Sequence, residues 1–228
     1  MPYYIFEGPD GVGKSTAINN ITGLLQDLLP DLKIVTTQLP GTTPIGQHIR
    51  KLVKTPESID ANIVDIDPLT RQILYAADYA SFVIGKLQPD LLAEKLVVCD
   101  RCSAISSLVY GNADGICIDD LWKIYNIIPK NKAQAVFVLN CDPRLAQHRI
   151  EGVREKDHFD FKPIDFKVKV HQSYRDLTTP TSQLHRQIME LDVTDRIVPI
   201  DASESPEKIA SVILTQIWQD LHRTKDEN

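Results

Sequence analysis

The chain predicts an α/β fold: a five-stranded, mainly parallel sheet flanked by helices. Two observations carry this. Five short apolar runs alternate with longer stretches of helical periodicity, as in a sheet whose successive strands are joined by crossover helices. The first apolar run leads into a glycine-rich turn and then an amphipathic stretch. At 228 residues, one large domain spanning 1–228 is the simplest division, and no internal repeat, low-complexity block or linker breaks it.

The elements follow in order. Tyr3–Glu7 is the first strand. The helix after the turn carries Ile18, Ile21, Leu25 and Leu28 on one face and stops at Pro30. Lys33–Thr37 is the second strand, Pro40–Pro44 a turn-rich loop, Ile45–Val53 a short helix and Thr55–Ile66 a polar loop. Asp67-Pro68 opens a long helix to about Leu87, because proline suits the first helical turn. On it Leu69, Ile73, Ala76, Ala80, Val83 and Leu87 recur near the 3.6 period and are expected to face the core. Tyr75, Asp78, Tyr79 and Phe82 form a second stripe. Leu96–Asp100 is the third strand, followed by helices over Ser103–Gly111 and Ile118–Ile127. Ala135–Asn140 is the fourth strand, Pro143–Ile150 a helix, and Glu151–Asp160 a charged segment. Phe161–Leu191 is mostly helical with a break at Pro180, and Arg196–Ile200 is the fifth strand. Ser205-Pro206 starts the last helix, which runs to about His222, and residues 223–228 are expected to fray.

Composition excludes several classes. With 43% hydrophobic and 25% charged residues the chain is globular rather than disordered. Twenty-five basic against 31 acidic residues leave a net charge of −6, which argues against a nucleic-acid coat or an anionic-membrane binder but not against a local phosphate site. No apolar run approaches the ~18 residues of a membrane span, and the N-terminus shows no basic segment followed by a long apolar one. The four cysteines are too few for a disulfide scaffold, so a reduced, cytoplasmic chain is expected. Cys99 and Cys102 have C-x-x-C spacing, but without a second such pair or a nearby His pair they read as small buried hydrophobes.

Gly8-Pro9-Asp10-Gly11-Val12-Gly13-Lys14-Ser15-Thr16 fits G-x-x-x-x-G-K-[ST], the phosphate-binding P-loop, between an apolar strand and an amphipathic helix. Its glycines let the backbone curl so that several N–H groups face one anion, and the helix adds its positive end. Gly8, Gly11, Val12, Gly13, Lys14, Ser15 and Thr16 are therefore the expected ATP-binding residues. Lys14 supplies a cation to the β- and γ-phosphates, and the Ser15 hydroxyl suits Mg²⁺. The glycine spacing is not the G-x-G-x-x-G of a dinucleotide loop. Asn131-Lys132-Ala133-Gln134 lacks the Asp of a guanine-reading N-K-x-D. A small kinase with the P-loop NTPase fold remains.

The rest of the chain resembles the thymidylate kinase family almost end to end. Phe6–Thr16 resembles its opening, and Pro40-Gly41-Thr42-Thr43-Pro44-Ile45-Gly46 with Ile49-Arg50 its second-strand loop and following helix. Leu74-Tyr75-Ala76-Ala77-Asp78 resembles its nucleobase helix, Cys99-Asp100-Arg101 its third-strand Asp-Arg pair, Asp157-His158-Phe159-Asp160 the end of its lid, and Ile200-Asp201-Ala202 the strand end that borders adenine. The resemblance implies that Arg101 grips the acceptor's 5′-phosphate, as the planar guanidinium suits. It implies Asp10 at the acceptor sugar or a metal-bound water, Tyr75 stacked on the base, and Asp100 beside Ser15 at Mg²⁺. Gln38, Pro40, Arg50, Asp78, Tyr79, Ser106 and Tyr110 fall at acceptor-side positions, and Ala202 at the adenine. Some members carry an arginine after the Asp10 position, others in a mobile lid. Gly11 places this chain with the second kind, with a lid at about 143–160 and Arg149 or Arg154 as the catalytic cation.

The acceptor site departs from the family pattern. Tyr79 stands where many members have a base-reading Arg. Ser106-Ser107-Leu108-Val109-Tyr110-Gly111 lacks the Gln that reads the base edge in bacterial members, and Gln38 replaces an Arg beside the acceptor phosphate. Losing a hydrogen-bonding reader costs discrimination. The expected activity is Mg²⁺- and ATP-dependent phosphorylation of a deoxynucleoside monophosphate, first of all dTMP to dTDP, by a cytoplasmic enzyme that the resemblance implies is a homodimer. The alternatives are a P-loop kinase of a different or modified deoxynucleotide or of a polynucleotide end, and a non-catalytic nucleotide-binding module. The negative net charge argues against a polynucleotide groove; intact Lys14, Ser15 and Arg101 argue against the module.

Overall fold

The computed structural model describes residues 2–54, 66–151 and 158–226. Strands β1 (Tyr3–Glu7), β2 (Ile34–Gln38), β3 (Leu96–Asp100), β4 (Ala135–Asn140) and β5 (Ile197–Asp201) form one sheet in the order β2-β3-β1-β4-β5. Every pairing is parallel, with Ile5 opposite Cys99 on one side and Val136 on the other. The central strands are buried on both faces, which is why they read as unbroken apolar runs. Tyr3, Ile5, Val97, Cys99, Val136 and Val138 point into one core layer. Tyr4, Phe6, Val98, Phe137 and Leu139 point into the other.

The helices are α1 (Lys14–Leu28), α2 (Pro44–Lys54), α3 (Pro68–Phe82), α4 (Gln88–Leu92), α5 (Ser103–Ala113), α6 (Ile118–Asn126), α7 (Pro143–Ile150), α8 (Ile164–Leu177), α9 (Gln183–Glu190) and α10 (Pro206–Asp226). The core layer on the Tyr3 face takes its helical residues from α3, α5, α6, α8 and α9, and the layer on the Tyr4 face from α1, α7 and α10. Tyr4 Oη donates to Asp220 Oδ2 at 3.0 Å, and Arg196 binds both oxygens of the same carboxylate, tying α10 to β1 and to the start of β5. Among the described residues no helix is long and apolar enough to cross a membrane.

Two expectations about the long helix need correction. It does not stop at Leu87: a π-helical turn over Val83–Leu87 leads directly into α4. Pro89 explains the wide turn, because it has no N–H to continue the α-helical ladder. Gln88, just before it, donates instead to Val83 O, five residues back. The expected core stripe holds only in part: Ala76, Val83 and Leu87 are buried and Ala80 packs against the core, but the second stripe is buried as well. Tyr75, Asp78, Tyr79 and Phe82 are buried, whereas Leu69 and Ile73 are 47% and 51% exposed. Packing the aromatic face against α2 and α5 removes more apolar area from water than packing the aliphatic one. Smaller shifts have local causes. β2 runs on to Gln38 because that residue pairs in register with Asp100. The last helix continues past His222 to Asp226. The segment after Phe161 breaks over residues 178–182, around Pro180, and Ser182 recaps it by accepting from His185 N.

Candidate active site

The phosphate loop leaves β1 at the carboxyl end of the sheet, where α/β proteins place ligands. Gly8, Gly11 and Gly13 have φ of 142°, 82° and 93°, conformations that glycine adopts without a Cβ penalty. At Gly11 even a Cβ would collide with the Ala146 carbonyl of α7, so loop and helix touch backbone to backbone. Val12 is buried in the core under the loop, while Ser15 and Thr16 are exposed at the start of α1. The Lys14 ammonium is buried and donates to the carbonyls of Gly8 at 2.9 Å and Pro9 at 2.8 Å. Burial, and then the nearby Arg101 charge, pull its pKa down to about 8.

Arg101, just past β3, is the hub. Its φ is 75°, a strained value for a residue with a Cβ. The strained backbone is held at both ends: its N–H donates to Phe6 O at 2.9 Å, and its carbonyl accepts from Cys99 Sγ at 3.0 Å. The guanidinium pairs with Asp10 Oδ1 at 2.5 Å and donates to Tyr174 Oη at 3.1 Å and Tyr110 Oη at 3.4 Å. Beneath it lies Glu7, fully buried, with Oε2 3.7 Å from the guanidinium. Glu7 accepts from Cys102 N, Ser106 Oγ and Tyr174 Oη. Burial raises its pKa, while Arg101 and these donors oppose the rise. The result is a braced cation whose outer face is open to the cleft.

About 440 Å³ of empty space, open to solvent at the mouth, lies between the walls of that cleft. Asp10 and Arg101 stand at its polar end, with Pro40, Ser106, Tyr75, Tyr110, Phe159 and Gln72 among the other walls. Tyr75 packs with Ile49 and Val53 of α2, and Tyr110 stands 5.0 Å ring-to-ring from Phe159. The predicted residues Asp10, Pro40, Tyr75, Arg101, Ser106 and Tyr110 therefore converge on one cavity. Others do not line it. Gln38 is exposed. Arg50 donates to Pro40 O at 2.8 Å, and Asp78 Oδ1 accepts from Gly41 N at 3.2 Å, so both brace the loop that forms the cleft wall. Tyr79 is 1% exposed, with its ring 5.9 Å from that of Tyr125.

On the opposite side of the loop, Arg149 Nη1 donates at 2.8 Å to the carbonyl of Ala202, itself buried after β5. Arg154 and Asp157 lie outside the described residues. Ser15 Oγ is 3.3 Å from Asp100 Oδ2, and Asp100 Oδ1 is buried with no hydrogen-bond partner among the described residues. A hydroxyl and an orphaned carboxylate oxygen fit a hard cation that takes its remaining ligands from phosphates and water. Cys99 and Cys102 are fully buried, and burial pushes the Cys102 thiol up to about 12, so both stay protonated and unreactive.

Sequence reasoning missed Glu7, Tyr174, Phe159 and Gln72. Glu7 carried one signal, an acid ending an apolar strand; the others meet the site only through tertiary packing.

Comparison with known proteins gives a consistent picture. The family profile for thymidylate kinase matches residues 6–213. A thymidylate kinase of Latilactobacillus sakei is 32% identical over 225 residues, covering 95% of each chain. One from Geobacillus thermodenitrificans is 28% identical over 226 residues, covering 98% of this chain and 92% of that one. One from Caldicellulosiruptor saccharolyticus is 34% identical over 178 residues, covering 77% and 82%.

Proposed function

The chain belongs to the thymidylate kinase family, and from that premise we propose that it transfers the γ-phosphoryl group of ATP to the 5′-phosphate of dTMP, giving dTDP and ADP. The observation that carries this is the braced Arg101, which stands between the phosphate loop and an aromatic-walled cleft.

Phosphoryl transfer asks for positioning and cations rather than covalent chemistry. ATP phosphates fill the concavity of the loop from Gly8 to Thr16, and Lys14 exchanges its two carbonyl partners for phosphate oxygens. Phosphate charge restores the basicity that burial lowers. Arg101 holds the acceptor phosphate, and Asp10 and Glu7 keep it in place. Tyr75 and Tyr110 flank the base and sugar. Ser15 and Asp100 would hold Mg²⁺, which would neutralise charge on the ATP phosphates. Ala202 borders the adenine. Arg149 or Arg154 supplies the charge that closes over the reacting oxygens, and Arg149 leaves the Ala202 carbonyl to do so. A reduced, cytoplasmic setting is part of the same proposal, since four cysteines are too few for a disulfide scaffold. A homodimer is part of the same proposal: exposed Leu69, Ile73 and Ile84 form an apolar surface along α3 and the π-helical turn after it.

The test is dTDP formation from ATP and dTMP, compared with other mononucleotides, nucleosides and DNA ends. Lys14→Ala should lower kcat at least about 100-fold while the fold survives, because a preorganised donor to transition-state charge is worth that much. No dTDP from the wild type, or near-normal turnover in Lys14→Ala, would refute the proposal.

A further inference from the structure

Gln72 is the anomaly of the cleft. It lies on α3, its side chain is fully buried, and it lines the cavity. Neither Nε2 nor Oε1 has a hydrogen-bond partner among the described residues. Buried amides are rarely left unpaired, because desolvation then goes uncompensated. Such a group is tolerated where a ligand completes it. Its setting points to which ligand. Gln72 precedes Tyr75 by three residues and so shares its helix face. Arg101, the proposed phosphate holder, lines the same cavity. Gly111 on α5 faces the amide: a Cβ there would stand 3.3 Å from Gln72 Cδ and also crowd Leu121. The absent side chain leaves room for the amide.

We propose that Gln72 reads the base edge of the acceptor nucleotide, accepting from the ring N3–H at Oε1 and donating from Nε2 to the neighbouring carbonyl. The assignment rests on reading the cleft as the dTMP site. It supplies a reader that the positions singled out by family resemblance do not, since Tyr79 packs against Tyr125 and residues 106–111 hold no Gln. One amide carries both a donor and an acceptor, so it matches an edge where a ring N–H adjoins a carbonyl. Among the described residues no protein group fixes which way the amide points, so N3–H recognition is what must be measured.

The experiment compares kcat/KM for dTMP and for N3-methyl-dTMP, which lacks the N3 donor, in wild type and Gln72→Leu. The wild type should prefer dTMP by about 10- to 100-fold, the effect of one unsatisfied buried partner. In Gln72→Leu, dTMP should lose most of that factor, chiefly in KM, and the preference between the two nucleotides should vanish. The variant's melting temperature should not fall, because leucine removes an unpaired amide at similar volume. If it fails to fold, Gln72→Met reads the same quantity with an unbranched chain. An unchanged dTMP to N3-methyl-dTMP ratio, with dTMP still turned over, overturns the role of Gln72 and leaves the kinase reading standing. A wild type inactive on dTMP overturns both.

Discussion

Asp78 lies behind the cleft wall, bonded to Gly41 N through Oδ1, with Oδ2 buried and unpartnered among the described residues. Burial pushes its carboxyl up to about 6, against the opposing Gly41 bond and Arg50 charge. The unfolded value is about 4, so between those limits the folded chain binds the proton more tightly. The stability this contributes is complete below about pH 4 and is lost as pH rises through 6. Asp78→Asn keeps an acceptor for Gly41 and removes the titration. It should match the wild type near pH 4 and exceed it by about 2–3 kcal/mol at pH 7; parallel denaturation curves across that range would show that Asp78 does not titrate this way. The local motif marked Asp78 as an acceptor-side position but not its role behind the cleft wall, as the acceptor for Gly41 N. Lys14 and Ser15 were legible because the phosphate loop is a contiguous motif, and Arg101 because it ends an apolar strand. Gln72, Glu7 and Tyr174 owe their importance to neighbours distant in sequence, which spacing cannot reveal.

At the scale of elements, strands were the easiest to read, because an element buried on both faces leaves a continuous apolar run with sharp ends. β1, β3 and β4 fall at their expected bounds for that reason. α3 was harder: both its stripes are apolar enough for a core, and the packing of α2 and α5 buries the aromatic one while leaving Leu69 and Ile73 of the other exposed. The latch on α10 yields a prediction. Asp220→Ala leaves the buried Tyr4 hydroxyl without its acceptor and Arg196 without its pair. The cost should be roughly 2–4 kcal/mol, below that of a fully buried pair, because the Arg196 side chain is still 32% exposed. Urea denaturation measures it, and kcat well below the melting temperature should not change, since the latch lies on the face away from Arg101. An undiminished midpoint would mean that the latch holds nothing.

For the whole molecule, a parallel sheet with helices on both faces followed from the alternation of runs. Neither outward-facing surface nor assembly did, because exposed apolar residues look in sequence like buried ones. Ile73, 51% exposed on α3, is the discriminating position. Ile73→Glu should convert a dimer into a folded monomer, read by light scattering on a sizing column; a mutant that stays dimeric would place the interface elsewhere. The backbone contact between Gly11 and Ala146 reaches further still. An arginine at position 11 is not a single substitution away in this chain. Any side chain at position 11 must first push α7 off the loop, because even a Cβ would meet the Ala146 carbonyl and Ile150. Position 11 is therefore closed to change one residue at a time: a side chain there, already strained by a φ of 82°, has to be preceded by a change elsewhere that moves Ala146 away.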